Sequence, residues 1–154
     1  MLHVGIDALD KIGSFNTQIK TDRNGGVFAY GYATSGSVLK TPYFLLWHGS
    51  GYAATALAAS TKGQIGVAIA AIASGCVGWF QIRGFCSDVQ GAATKLKGSF
   101  GHAVYFSAAG VAASASAFIG IDSQFAVLAE DVGGGASTTA NMWLIGRDSN
   151  SPLA

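Results

Sequence analysis

The sequence predicts an all-β fold: one antiparallel β-barrel or sandwich with glycine-rich turns and an extended amino-terminal arm. Three observations predict it. Residues 63–82 carry no charge, yet glycine interrupts them at 63, 66, 75 and 78. Segments of strict side-chain alternation recur along the chain, the period of a strand with two different faces. Turn signals separate those segments at intervals of roughly 8–12 residues, the rhythm of short antiparallel strands.

The elements follow in order. Residues 1–16 are expected to form an arm, with a short helical turn at 7–12. The segment 15–21 alternates as a strand. Asp22-Arg23-Asn24-Gly25-Gly26 is a turn, because Asn-Gly and Gly-Gly supply positive φ. The return strand, 27–33, places Phe28, Tyr30 and Tyr32 on one face, as cross-strand packing favours. Ser35-Gly36-Ser37 turns again. Strands are expected at 38–40 and 43–48, with Pro42 marking an edge or a break. Residues 52–60 are alanine-rich, which favours a short helix or an irregular crossover.

The uncharged middle is read as a hairpin. Ile65, Val67 and Ile69 make a bulky face and Gly66, Ala68 and Ala70 a small one. Ala73-Ser74-Gly75 turns the chain, with Gly75 taking positive φ. The pattern then resumes with Val77, Trp79, Gln81 and Arg83 opposite Gly78, Phe80, Ile82 and Gly84. Gly78 beside Trp79 suggests a bulge or a ring lying over bare backbone. A transmembrane helix is the rival, since about 18 uncharged residues suffice. Ala, Gly, Ser and Gln fill too much of the run for that. Residues 90–97 are strand or turn, and 100–106 alternate. Residues 108–117 form a loop or edge of weak register. Strands are expected at 118–121, 125–128 and 142–145, and a flexible loop begins at Gly133-Gly134-Gly135. The domain boundaries are thus an arm at 1–16, a barrel or sandwich at 17–148 and a tail at 149–154.

Composition excludes several functions. The 154 residues suit one domain, and the net charge is +1 with only 11% charged residues, against about 25% in ordinary soluble domains. Nine Lys and Arg are scattered, with Lys95 and Lys97 closest together. Nucleic-acid binding needs clustered positive charge and is not expected. So little charge leaves copies without electrostatic repulsion, which suits a surface covered by a partner. Cys76 and Cys86 on one extended strand would lie roughly 30 Å apart, too far for a bond. The start lacks a signal-peptide core, so folding in a cytoplasm is expected.

Chemistry is thinly supplied. His3, His48 and His102 stand isolated. His48-Gly49-Ser50-Gly51 lacks the Gly-x-Ser-x-Gly spacing of a nucleophile elbow. Gly133–Gly135 with Ser137, Thr138 and Thr139 is a weak anion cradle. Glu130 and Asp131, adjacent on a strand, would point to opposite faces and read as a solvated loop. Tyr30, Tyr32, Tyr43, Tyr52, Trp47 and Trp79 form either core or a sugar platform, and core fits better. No catalytic residue, cofactor site or metal site is expected.

At GQIGVAIAAIASGCVGWFQIRGFCSDVQG, residues 63–91, the chain resembles the head-decoration (capsid cement) proteins of tailed bacteriophages. Gly75, Gly78, Trp79, Gln81 and Gly84 carry the likeness, as a short apolar bend followed by GW-x-Q-x-x-G. The resemblance implies a barrel-like domain that binds the outside of an icosahedral capsid and stabilises it. It also implies the major capsid protein as partner, a homo-oligomer with the trimer favoured, and a place on the virion surface. Binding to nucleic acid or membrane is not implied. The arm is expected to reach a neighbour. The alternative is a virion surface adhesin that holds host glycan through exposed aromatics. A third class, an enzyme of unfamiliar type, would require a pocket of convergent polar groups.

Overall fold

The computed structural model describes residues 10–11, 19–47, 51–56, 64–91, 96–106, 112–114 and 124–146. Among these residues it holds thirteen strands and no helix. The first hairpin joins β2 (Ile19–Thr21) to β3 (Val27–Ala33). Its turn is built by Asp22, whose Oδ1 accepts from the amides of Asn24 (2.9 Å) and Gly26 (2.7 Å). Gly25 completes it at φ +79°, a left-handed conformation that glycine adopts without steric cost.

Next come β4 (Pro42–Trp47), β5 (Tyr52–Ala56), β6 (Gln64–Ala68) and the 15-residue β7 (Cys76–Gln90). The order β3-β7-β6-β4-β5 returns to β3, closing a five-stranded barrel. The closing β3–β5 pair is parallel and every other pair is antiparallel. A barrel of so few strands has a narrow interior, and the sequence supplies small residues to fit it. Ala29, Ala33, Ala54 and Ala68 line it around Tyr43, Leu45 and Phe80. A Cβ on Gly66 would lie 2.8 Å from Leu45 Cδ1 and 2.9 Å from Phe80 Cβ, and one on Gly31 would lie 3.4 Å from the Phe80 ring. The small face expected at Gly66 and Ala68 is therefore the barrel interior.

The outer wall carries two more cores. Phe28 and Tyr30 of β3 pack with Val77 and Trp79 of β7, the one-face aromatics that alternation predicts. On the other side Phe44, Ile65 and Val67 meet a second layer. That layer contains β13 (Thr139–Ile145), β11 (Gln124–Leu128), β9 (Ala103–Phe106) and β10 (Ala112–Ser114), ordered β7-β13-β11-β9-β10. Its inward residues Val89, Val104, Phe125, Leu128, Met142 and Leu144 complete the core. A separate ribbon of β8 (Leu96–Gly98) and β12 (Val132–Ser137) adds Leu96 and Val132 to it. Finally, β1 (Asp10–Lys11) pairs with Val77 and Cys76.

β7 belongs to both layers. It pairs with β3 from Cys76 to Arg83 and with β13 from Arg83 to Gln90. Arg83 pairs with both strands, so they flank β7 on opposite edges. Two bulges help it turn from barrel to sheet. Gln81 and Arg83 pair with the adjacent Phe28 and Val27, leaving Ile82 as the extra residue. Ser87 and Asp88 together oppose Asn141, and Asp88 takes φ +55°.

Five sequence expectations change. Asp10 and Lys11, inside the helical turn expected at 7–12, form a strand because they pair with β7. Of the two readings offered for Gly78, the bulge falls: Gly78 pairs in register with Gly31, and the bulges lie at Ile82 and at 87–88. Residues 38–40 are a turn, with Lys40 at φ +60° and its N–H bonded to Ala68 O at 2.7 Å. The alanine-rich 52–56 is a barrel strand, since small side chains are what the interior accepts. Gly133–Gly135 lies in β12 and begins no loop. The expected strand at 118–121, most of the arm and the tail lie outside the described residues.

Candidate docking surface

The motif residues come together where β7 leaves the barrel. Gly75 takes φ +80° and donates its N–H to Ala33 O at 2.9 Å, setting the hairpin end. Trp79 is 2% exposed, with its ring 4.9 Å from that of Tyr30 and Lys20 Nζ 4.8 Å above it. Its Nε1 is buried without a hydrogen-bond partner. Gln81 is also buried, and its Nε2 donates to the carbonyls of Arg83 (3.2 Å) and Phe85 (2.7 Å). Those two bonds hold the backbone through the Ile82 bulge. Gly84 takes φ +93°, and a Cβ there would lie 2.9 Å from Gly26 Cα. Gly78, Trp79, Gln81 and Gly84 thus build the crossing between layers, with Trp79 and Gln81 buried in it.

The surface beside that crossing has a different character. Phe85, three residues after Ile82, is 46% exposed, and Trp143 opposite it on β13 is 44% exposed. Their rings meet edge to face, with centroids 5.4 Å apart at 64°. Ile145, opposite Arg83, is exposed on the same face. Register continues the row across the sheet through Val127 to Ala103. The face is apolar in the middle and charged at its two ends. Arg83 stands at one end, its stem over Gly146. Asp88 stands at the other, its N–H bonded to Asn141 Oδ1 at 3.1 Å. Beside it Glu130 accepts from Asn141 N (2.7 Å) and Nδ2 (3.0 Å). Lys40 reaches the same end, with Nζ 3.4 Å from Ser87 Oγ.

Beneath this face Cys86 is 2% exposed. Burial pushes its thiol above the ordinary value; Lys40 opposes the shift and Asp88 adds to it. Both cysteines are free, as their placement on one extended strand requires. The other expected polar residues hold structure. Glu130 anchors Asn141, and Asp131 Oδ1 accepts from Phe100 N at 2.7 Å. They lie in the expected loop and tie it to β13 and to the turn at Phe100. His102 Nδ1 accepts from Ser99 N at 3.3 Å. His3, His48 and Ser50 lie outside the described residues. Among the described residues, no three His, Cys, Asp or Glu side chains gather as a metal site would need.

A cleft of about 570 Å³ opens at one end of the barrel, between residues 34–38 and 54–56, above Tyr43 and Ile72. It has no charged lining residue. The Ser37 and Thr55 hydroxyls beside it are buried without hydrogen-bond partners.

The sequence reads Tyr30, Tyr32, Tyr43, Tyr52, Trp47 and Trp79 as core in preference to a sugar platform. Tyr30, Tyr43 and Trp79 are core, Tyr32 and Tyr52 are half-buried, and the Trp47 side chain lies outside the described residues. Phe85 and Trp143 were missed. No family model, curated protein or solved structure matches the chain.

Proposed function

We propose that the domain is a structural component of a viral shell, a decoration protein that binds the outside of an assembled capsid through the major capsid protein. The observation that carries this reading is the exposed Phe85–Trp143–Ile145 face on a β body with very few charges. An exposed apolar patch of this kind marks an interaction site, and aromatic rings are enriched at the centres of protein interfaces. The motif that resembles decoration proteins builds the strand from which Phe85 projects. A protein that binds an assembled shell and not its separate subunits stabilises the assembly by mass action. Symmetry multiplies many modest contacts into high avidity.

The test is recovery of the protein with purified particles. A fixed ratio to the major shell protein, retained through density-gradient sedimentation, is expected. Recovery only in the soluble fraction would overturn the reading. The adhesin alternative draws on the same observation, because Trp143 offers an exposed ring to a sugar. It predicts quenching of Trp143 emission by soluble glycans and loss of that quenching in Trp143→Ser.

A further inference from the structure

We propose that the Phe85–Trp143 face is self-complementary and joins two copies of this chain face to face. This rests on the shell reading and gives the face to a second copy of this chain, in place of the trimer contact that the resemblance favours; the capsid is then met through another surface. The argument comes from the charges along β7. Arg83 lies two residues before Phe85 and Asp88 three residues after it. Phe85 and Trp143 therefore sit near the midpoint of a span of roughly 15 Å. The Asp88 end also carries Glu130, and Lys40 offsets one of those two carboxylates, leaving the end acidic. In the neighbouring turn, Asp22 and Arg23 offset each other. No ion pair engages Arg83 or Asp88 among the described residues.

A face with a cation at one end, an anion at the other and an apolar centre matches its own copy in one orientation. The required two-fold axis lies in the interface and runs across the strands. That operation sets β7 of one copy antiparallel to β7 of the other. Arg83 then meets Asp88 of the second copy at both ends, while Phe85 and Trp143 cover their counterparts. An axis parallel to the strands would set Arg83 against Arg83. An isologous contact of this type closes at two copies and does not propagate. On a shell, such pairs would bridge neighbouring copies and tie together the capsomers beneath them.

Charge reversal with complementation tests the proposal on the purified full chain, using sedimentation equilibrium to read mass. The unmodified protein is expected to dimerise, with affinity falling as salt rises. Arg83→Asp and Asp88→Lys, each alone, place like charges at both ends and should weaken association by about tenfold or more. An equimolar mixture of the two variants restores opposite charges at both ends and should form heterodimers. The double variant Arg83→Asp/Asp88→Lys should dimerise by itself. Phe85→Ser/Trp143→Ser should be monomeric, with circular dichroism confirming its β fold. A monomeric unmodified chain up to its solubility limit overturns the proposal. So does a mixture that fails to associate, or a dimer that survives the double serine substitution. Loss of pairing with retained particle binding would reject this interface alone. Pairing without particle binding would reject the shell reading alone.

Discussion

Gln81 is the residue on which the strand crossing depends most. Its amide nitrogen donates to two backbone carbonyls just beyond the Ile82 bulge, those of Arg83 and Phe85. Gln81→Leu removes both bonds and is expected to lower stability by about 1–2 kcal/mol, read from urea denaturation. Gly84 is constrained from two sides, by φ +93° and by the approach of Gly26. Gly84→Ala combines backbone strain with a clash against backbone and should cost about 2–4 kcal/mol. Thr55 gives the opposite sign. Its buried hydroxyl has no partner, so Thr55→Val should leave the thermal midpoint unchanged or raise it. Cys86 contributes a pH dependence. Its folded thiol holds a proton that the unfolded chain releases near the ordinary value of 9.0. Above that pH the unfolded state binds fewer protons, so stability falls as pH rises toward the folded value. Cys86→Ala should flatten this slope in melts run from neutral to alkaline pH.

At the scale of elements, strands show in the sequence wherever their two faces differ in bulk. Val27–Ala33 alternates aromatic with small residues because one face packs on Trp79 and the other lines a narrow barrel. Ile65 to Ala68 alternates for the same reason. Tyr52–Ala56 does not, since alanine satisfies both a barrel interior and a helix, and only the tertiary setting decides. Gly133–Gly135 hides its strand because bare backbone has no period to read. The docking face is obscured differently. Phe85 and Trp143 are far apart in sequence, and on each strand the buried neighbours Cys86, Met142 and Leu144 are apolar too. No local signal distinguishes an outward apolar face from an inward one; the covering layer does. Lys40 is equally invisible, since a left-handed lysine has no pattern. Lys40→Gly removes that strain, and a gain of up to about 1 kcal/mol is expected in chemical denaturation.

For the whole molecule, the sharing of β7 between barrel and sheet ties their stabilities together. The core between the two layers draws residues from both, so neither layer retains it alone. One cooperative transition is expected, with far-ultraviolet circular dichroism and Trp143 emission sharing one midpoint. Two separated midpoints would show that the layers fold independently. The same continuity limits where the polypeptide could begin and end. Circular permutants opened within residues 76–90 would break the barrel wall and the second sheet at once. New termini at the exposed Phe100–Gly101 turn would interrupt neither.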